Sequence, residues 1–166
     1  MRRPDNGNNM KVKFFEHIVH AAAPGLTRAM LWTGLERTVR RPQDYIDHVE
    51  GAEISAEEIK KGETKLDRVV DFGRFSVTDR VILKFEESVQ TLVDGGESWP
   101  ASSFLIKIEE PEQGVLFLRF LYEEEKRSDE ADNPMINTLR RKAYEAKDQR
   151  LVEQILEEEL KNAPSA

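Results

Sequence analysis

The chain has 166 residues, of which 39% are hydrophobic and 34% charged, with no cysteine and a formal net charge of −7. That length suits one domain able to bury roughly 70% of its unfolded surface. The absence of cysteine excludes disulfides, iron–sulfur clusters, thiolate zinc sites and thiol nucleophiles, and the acidic balance argues against a nucleic-acid binder, which needs surplus basic charge. No apolar run reaches the ~18 residues of a membrane span. The opening MRRPDNGNNM lacks the apolar stretch of a signal peptide. The expected compartment is therefore the cytoplasm.

Residues 1–10 read as a disordered extension, 11–161 as one domain and 162–166 as a tail. From Lys13 to Ala21 the pattern alternates, with Phe15, His17, Val19 and Ala21 on one face of a strand. Pro24-Gly25 ends it, and the period then changes. Thr27 is placed to cap a helix whose Leu31, Leu35 and Val39 recur every four residues. Arg40-Arg41-Pro42 stops that helix with cations at its negative end, and Gln43 to His48 reads as a short second helix.

From Val49 onward, glycine and proline turns separate six strands at about 49–59, 64–72, 74–85, 88–94, 101–110 and 115–123. The connections are too short for parallel crossovers, so the sheet is predicted to be an antiparallel meander. In the third of these strands Phe75, Val77, Asp79, Val81, Leu83 and Phe85 share a face. In the fifth, Phe104, Ile106 and Ile108 do. The last strand is apolar on both faces except at Arg119, so both faces are expected to be covered, and its inward set is either Leu118/Phe120 or Phe117/Leu121. The acidic stretch Glu123–Glu130 reads as a solvated loop. Asn133-Pro134 opens a final helix reaching Lys161, with Met135, Ile136, Leu139, Ala143 and Ala146 on one side.

A six-stranded meander needs a layer over its apolar face, and only the last helix is long enough to supply one. The first strand closes the sheet against the last. One helix cannot fill the concavity of seven strands, so an internal cavity is expected. It is expected to be lined by Phe75, Val77, Asp79, Val81 and Leu83, by Phe104, Ile106 and Ile108, and by Met135, Leu139 and Ala143.

This order of elements resembles the helix-grip fold of the START/birch-pollen-allergen superfamily (SRPBCC). Four stretches resemble its AtaL-like family: Phe15-Glu16-His17, Leu26-Thr27-Arg28 with Leu31-Trp32-Thr33-Gly34-Leu35, Arg41-Pro42-Gln43, and Ile108-Glu109-Glu110-Pro111 with the strand running to Tyr122. The resemblance implies an α+β fold, a seven-stranded antiparallel curved sheet wrapped around a long C-terminal helix, with an apolar cavity. Members of the superfamily bind lipids, sterols, polyketides or plant hormones, and some are cyclases or aromatases. Fold does not choose among these.

The residues themselves point to little catalytic chemistry. His17 and His20 lie on opposite faces of a strand and His48 is distant, so no metal site is expected. His17 reads more readily as a satisfied core residue than as a ligand contact. There is no phosphate-binding glycine loop and no Gly-x-Ser-x-Gly elbow, and no cofactor is expected. Arg37, Arg40 and Arg41 read as helix-end charge, Trp32 as a helix anchor, and Trp99 as either a cavity-mouth residue or a surface patch. Asp79 breaks an apolar face, which is costly unless it is paired, with Arg119 a candidate partner. No catalytic residue is assigned, and Asp79, His17 and Tyr122 are the candidates for acid–base work. Three readings follow: a carrier or sensor of a small hydrophobic molecule such as a lipid or polyketide, a polyketide cyclase or aromatase, and an interaction module or homo-oligomer without ligand.

Overall fold

A computed structural model of the chain describes residues 11–125 and 133–162. Residues 1–10, 126–132 and 163–166, which include most of the expected acidic loop, lie outside the described residues, and Glu123–Glu125, expected in that loop, instead end a strand. The elements run β1 (Lys11–His20), α1 (Arg28–Arg40), a 3-10 turn (Pro42–Asp44), β2 (Gly51–Lys60), β3 (Glu63–Asp71), β4 (Ser76–Lys84), β5 (Ser88–Val93), β6 (Ser102–Glu112), β7 (Val115–Glu125) and α2 (Pro134–Asn162). The seven strands form one antiparallel sheet in the order β1-β7-β6-β5-β4-β3-β2. This is the α+β helix-grip architecture, a curved meander closed by the first strand and gripping the last helix.

Local chemistry sets the boundaries. Thr27 accepts from the Met30 amide at 3.1 Å and Asn133 from the Ile136 amide at 3.2 Å, so both helix starts are capped by the residues expected to do so. Tight turns at Gly62 (φ 70°) and Gly114 (φ 83°) need the left-handed region that glycine enters freely. The segment after α1 differs from expectation: it is a three-residue 3-10 turn rather than a second helix. Pro42 starts it without a side-chain cap, and Tyr45 already leaves helical geometry. The strand expected over 74–85 is shorter, so Phe75 and Phe85 fall outside it and are exposed.

One face of the sheet carries the core. Leu116, Leu118, Phe120 and Tyr122 of β7 point inward with Val81, Leu83, Ile106 and Ile108, meeting Leu31, Leu35 and Val39 of α1 and Leu151, Val152 and Ile155 of α2. This resolves the phase of the last strand in favour of Leu118 and Phe120. On its other face Phe117, Arg119 and Leu121 are half-buried among cross-strand neighbours; Arg119 bridges Glu109 and Glu16, and His20 stacks on Phe117.

Both helices pack closely at Gly34, where an added Cβ would stand 2.3 Å from Ile155 Cγ2. Gly34→Ala is therefore expected to lower stability by about 1–2 kcal/mol, since overpacking outweighs the helix propensity that alanine adds. A urea melt checks this, and an unchanged midpoint would mean that α2 yields without cost.

Candidate functional site: a cavity between the sheet and the C-terminal helix

Helix α1 covers only part of the inward face. Its Leu31, Trp32 and Leu35 join the core with Leu66, Val81, Leu83, Ile108, Leu116 and Leu118. Toward the other ends of the strands only the last turn of α1 reaches, and a cavity of about 610 Å³ remains between sheet and α2. Its walls are Val70 and Arg68 of β3, Val77 and Asp79 of β4, Val89, Thr91 and Val93 of β5, Phe104 and Ile106 of β6, Tyr122 of β7, and Tyr144, Lys147, Asp148 and Leu151 of α2. The C-terminal end of α1 adds Thr38 and Val39.

Aromatic side chains gather along one side. Phe72 and Phe75 stack at 5.1 Å, and Phe75 meets the Trp99 ring at 5.8 Å. Phe75 is 50% exposed, so this group forms the rim where the cavity meets solvent. The loop that presents Trp99 is drawn tight by Gly96 N–H donating to Trp99 O (2.9 Å) and Trp99 Nε1 donating to Asp94 O (3.0 Å). Tyr45, Ile46 and Val49 also line the cavity, and the Tyr45 hydroxyl donates to Glu158 near the end of α2.

Two polar clusters are set into this wall. In the first, Arg68 holds Asp79 with two bonds, Nε to Oδ1 at 2.9 Å and Nη2 to Oδ2 at 2.7 Å, while its Nη1 donates to Val39 O at 2.6 Å. Both side chains are buried. Arg119 is thus not the partner of Asp79; it lies on the opposite face of its strand, bound to Glu109 and Glu16. In the second cluster Asp148 receives the Tyr122 hydroxyl at 2.9 and 2.8 Å on its two oxygens, and its Oδ2 lies 2.7 Å from His17 Nε2. Burial raises the Asp148 pKa against the opposing pull of Lys147, His17 and Tyr122. Burial and the Asp148 carboxylate together push the Tyr122 phenol far above the ordinary range, so it keeps its proton. Lys147 is the neighbouring cation; desolvation lowers its pKa and Asp148 opposes that shift.

Of the expected lining residues, Phe75, Val77, Asp79, Phe104 and Ile106 stand at the cavity. Val81, Leu83 and Ile108 share their faces but lie under α1, where they are core rather than lining. Met135, Leu139 and Ala143 are corrections of a different kind. Met135 and Leu139 are 73% and 60% exposed and Ala143 is exposed. The buried face of α2 passes through Ile155, Val152, Leu151 and Asp148, and helical spacing carries it back through Tyr144, Arg141 and Asn137. The apolar residues there sit on the wrong face, and an aromatic and polar residues take the inner one. Of the acid–base candidates Tyr122 lines the cavity, Asp79 lines it paired, and His17 sits behind Asp148 outside the lining. Arg68, Tyr144, Lys147 and Asp148 were not singled out by sequence. For Arg68 a signal existed, since the Phe72–Phe75 turn sets it directly opposite Asp79 in the β3–β4 register. Asp148 also had one, being an acid in phase with Leu151 and Ile155. Lys147 had none.

The sequence profile of a family described as "Acetylaranotin biosynthesis cluster protein L" matches residues 16–159. The chain belongs to this AtaL family. No curated protein sequence matches it. Solved structures similar to this AtaL chain include the di-domain ARO/CYC StfQ from the steffimycin biosynthetic pathway, at TM-score 0.63 and 13% identity over 91% of the chain. The chain spans about half of that protein, 52% of its length. The Zhui aromatase/cyclase from Streptomyces sp. R1128 is similar at TM-score 0.61 and 17% identity, covering 94% of this chain and 98% of that one. A START superfamily protein from Mycobacterium smegmatis is similar at TM-score 0.53 and 14% identity, covering 85% of this chain and 95% of that one. At such identities these structures bear on the fold alone, and they share the helix-grip arrangement of the AtaL chain. Among the described residues no helix is long and apolar enough to cross a membrane.

Proposed function

We propose that the protein encloses a small, largely apolar molecule, of the lipid or polyketide kind, as its carrier or sensor. The observation that carries this reading is the 610 Å³ cavity with mostly aliphatic and aromatic walls and a few convergent polar groups. That volume lies within the range of small-molecule sites, and a void so large weakens packing around it unless a ligand fills it. The fold is shared with proteins described as START superfamily and aromatase/cyclase, which agrees with a ligand held between sheet and helix.

The aromatase/cyclase neighbours favour a second reading, in which the cavity transforms what it holds. The polar clusters support it less. Asp79 is occupied by Arg68, and Tyr122 holds its proton tightly and spends it on Asp148. The interaction-module reading would require a filled interior.

The neutral apolar fluorophore N-phenyl-1-naphthylamine is expected to bind saturably with enhanced emission. Thr91→Trp, which enlarges a lining side chain of β5, should reduce its affinity by about tenfold or more while the circular-dichroism spectrum stays unchanged. Native mass spectrometry of freshly purified protein would detect a ligand carried through purification. Absence of fluorophore binding in the wild type, or unchanged binding in folded Thr91→Trp, would remove the cavity from the argument. A change in mass of the enclosed molecule on incubation, lost in Asp148→Asn, would move the conclusion to the enzymatic reading.

A further inference from the structure

Among the described residues Lys147 is the only lysine that lines the cavity. Its Nζ stands 5.1, 5.3 and 5.4 Å from the ring centres of Phe104, Tyr122 and Tyr144, with the Tyr122 and Tyr144 rings stacked at 4.3 Å. Asp148 Oδ1 is 3.8 Å away, outside hydrogen-bond reach, and both carboxylate oxygens are already engaged at shorter distance by Tyr122 and His17. Among the described residues Nζ makes no hydrogen bond. The ring faces favour a cation but accept none of its three N–H donors in a full hydrogen bond. The other cation in the wall, Arg68, differs: its Nε and Nη2 are committed to Asp79 and its Nη1 to Val39 O.

A half-buried cation, its side chain 33% exposed, with unspent donors and set in an aromatic wall, is an incomplete pair. The geometry points to the missing member being supplied by the ligand: the cavity takes aromatic or otherwise largely apolar acids, whose single anionic group bonds to Lys147 while the hydrocarbon fills the remaining space. This rests on the cavity-binding reading and adds the chemical class of its ligand. Carboxylate, phenolate and sulfonate share the required chemistry, a charged acceptor at the edge of an apolar body.

The charged surroundings of Lys147 are few. Helix α2 contributes Asp148 beside it and the Tyr144 phenol, whose oxygen accepts from Arg140 Nη2 at 3.2 Å. Strand β7 contributes the Tyr122 phenol, and β1 contributes His17 behind Asp148. On β3 and β4, Arg68 and Asp79 neutralise each other. A ligand anion would therefore be the dominant new charge. Desolvation lowers the Lys147 pKa, and a bound anion would raise it again, so acid binding should take up a proton when it occurs above the lowered value. Affinity for an anion should fall as pH rises through that value, because the neutral amine loses the attraction.

Two probes separate the terms: 1-anilinonaphthalene-8-sulfonate, and N-phenyl-1-naphthylamine, which has the same ring systems without the anion. The full chain is expected to bind the sulfonate about tenfold or more tightly than the neutral probe, the scale of one charge-assisted bond. Lys147→Met should abolish that preference and leave the neutral affinity within about twofold, because methionine preserves the apolar stem. Lys147→Arg should keep part of the preference and weaken its decline at alkaline pH, since guanidinium stays charged. Neutral-probe binding with an unchanged probe ratio in Lys147→Met would overturn this inference alone. Failure of the wild type to bind either probe would overturn the cavity reading and this inference with it.

Discussion

Asp79→Ala is expected to destabilise the protein by about 3–5 kcal/mol, the cost of stranding a buried charge by removing its partner. Arg68 and Asp79 occupy paired positions of β3 and β4, and both side chains are buried. Two parallel bonds fix the guanidinium, and its third contact, to Val39 O, ties the end of α1 to the sheet. Without the carboxylate, the guanidinium must stay charged in an apolar wall or pull away and break the α1 contact. Replacing both residues removes the problem: the double variant Arg68→Met, Asp79→Leu is expected near wild-type stability, because apolar side chains of similar volume carry no desolvation cost. Denaturant midpoints of the single and double variants form a cycle whose coupling term should be large. A loss below about 1 kcal/mol in Asp79→Ala, the range of solvated ion pairs, would show that cavity water already screens this pair.

Asp148→Ala is expected to cost about 2–4 kcal/mol, since it leaves the Tyr122 hydroxyl and the His17 ring nitrogen without their shared acceptor. Relief from burying the carboxylate itself offsets part of the loss. Asp148→Asn should lose less, as the amide oxygen still accepts one bond. The pH dependence has a definite sign. Burial raises the folded pKa of Asp148 above the ordinary 3.8, so the folded state binds the proton more tightly than the unfolded state. Its contribution is thus fully present below the unfolded value and declines as pH rises through the folded value. The stability of wild type relative to Asp148→Asn should therefore fall on going from acid toward neutral pH, measured as a difference so that surface carboxylates cancel. A difference that instead grows with pH would mean that His17, Tyr122 and Lys147 together outweigh desolvation.

The fold was readable because each part of it depends on local periodicity. Period-two runs between glycine turns placed six strands, short turns made them antiparallel, and Thr27 and Asn133 marked both helix starts. The phase of β4 put Asp79 inside, and the same phase with the Phe72–Phe75 turn contained its pairing with Arg68. What periodicity does not hold is how far α1 covers the sheet. Val81, Leu83 and Ile108 share faces with Val77, Asp79 and Ile106, yet α1 makes core of the first group and leaves the second at the cavity. The same limit explains α2. An apolar stripe at Met135, Leu139 and Ala143 looks inward by composition, but α2 packs with Ile155 against Gly34 of α1, and that contact fixes which of its faces meets the sheet. That contact turns Tyr144, Lys147 and Asp148 toward the cavity and Met135 and Leu139 to solvent. Strand alternation and helix caps are properties of neighbours in the chain, so the sequence alone determined them. The division of one apolar face into core and cavity, and the rotation of α2 that brings Lys147 and Asp148 to it, arise from contacts between residues far apart in the chain, and only the tertiary structure decided them.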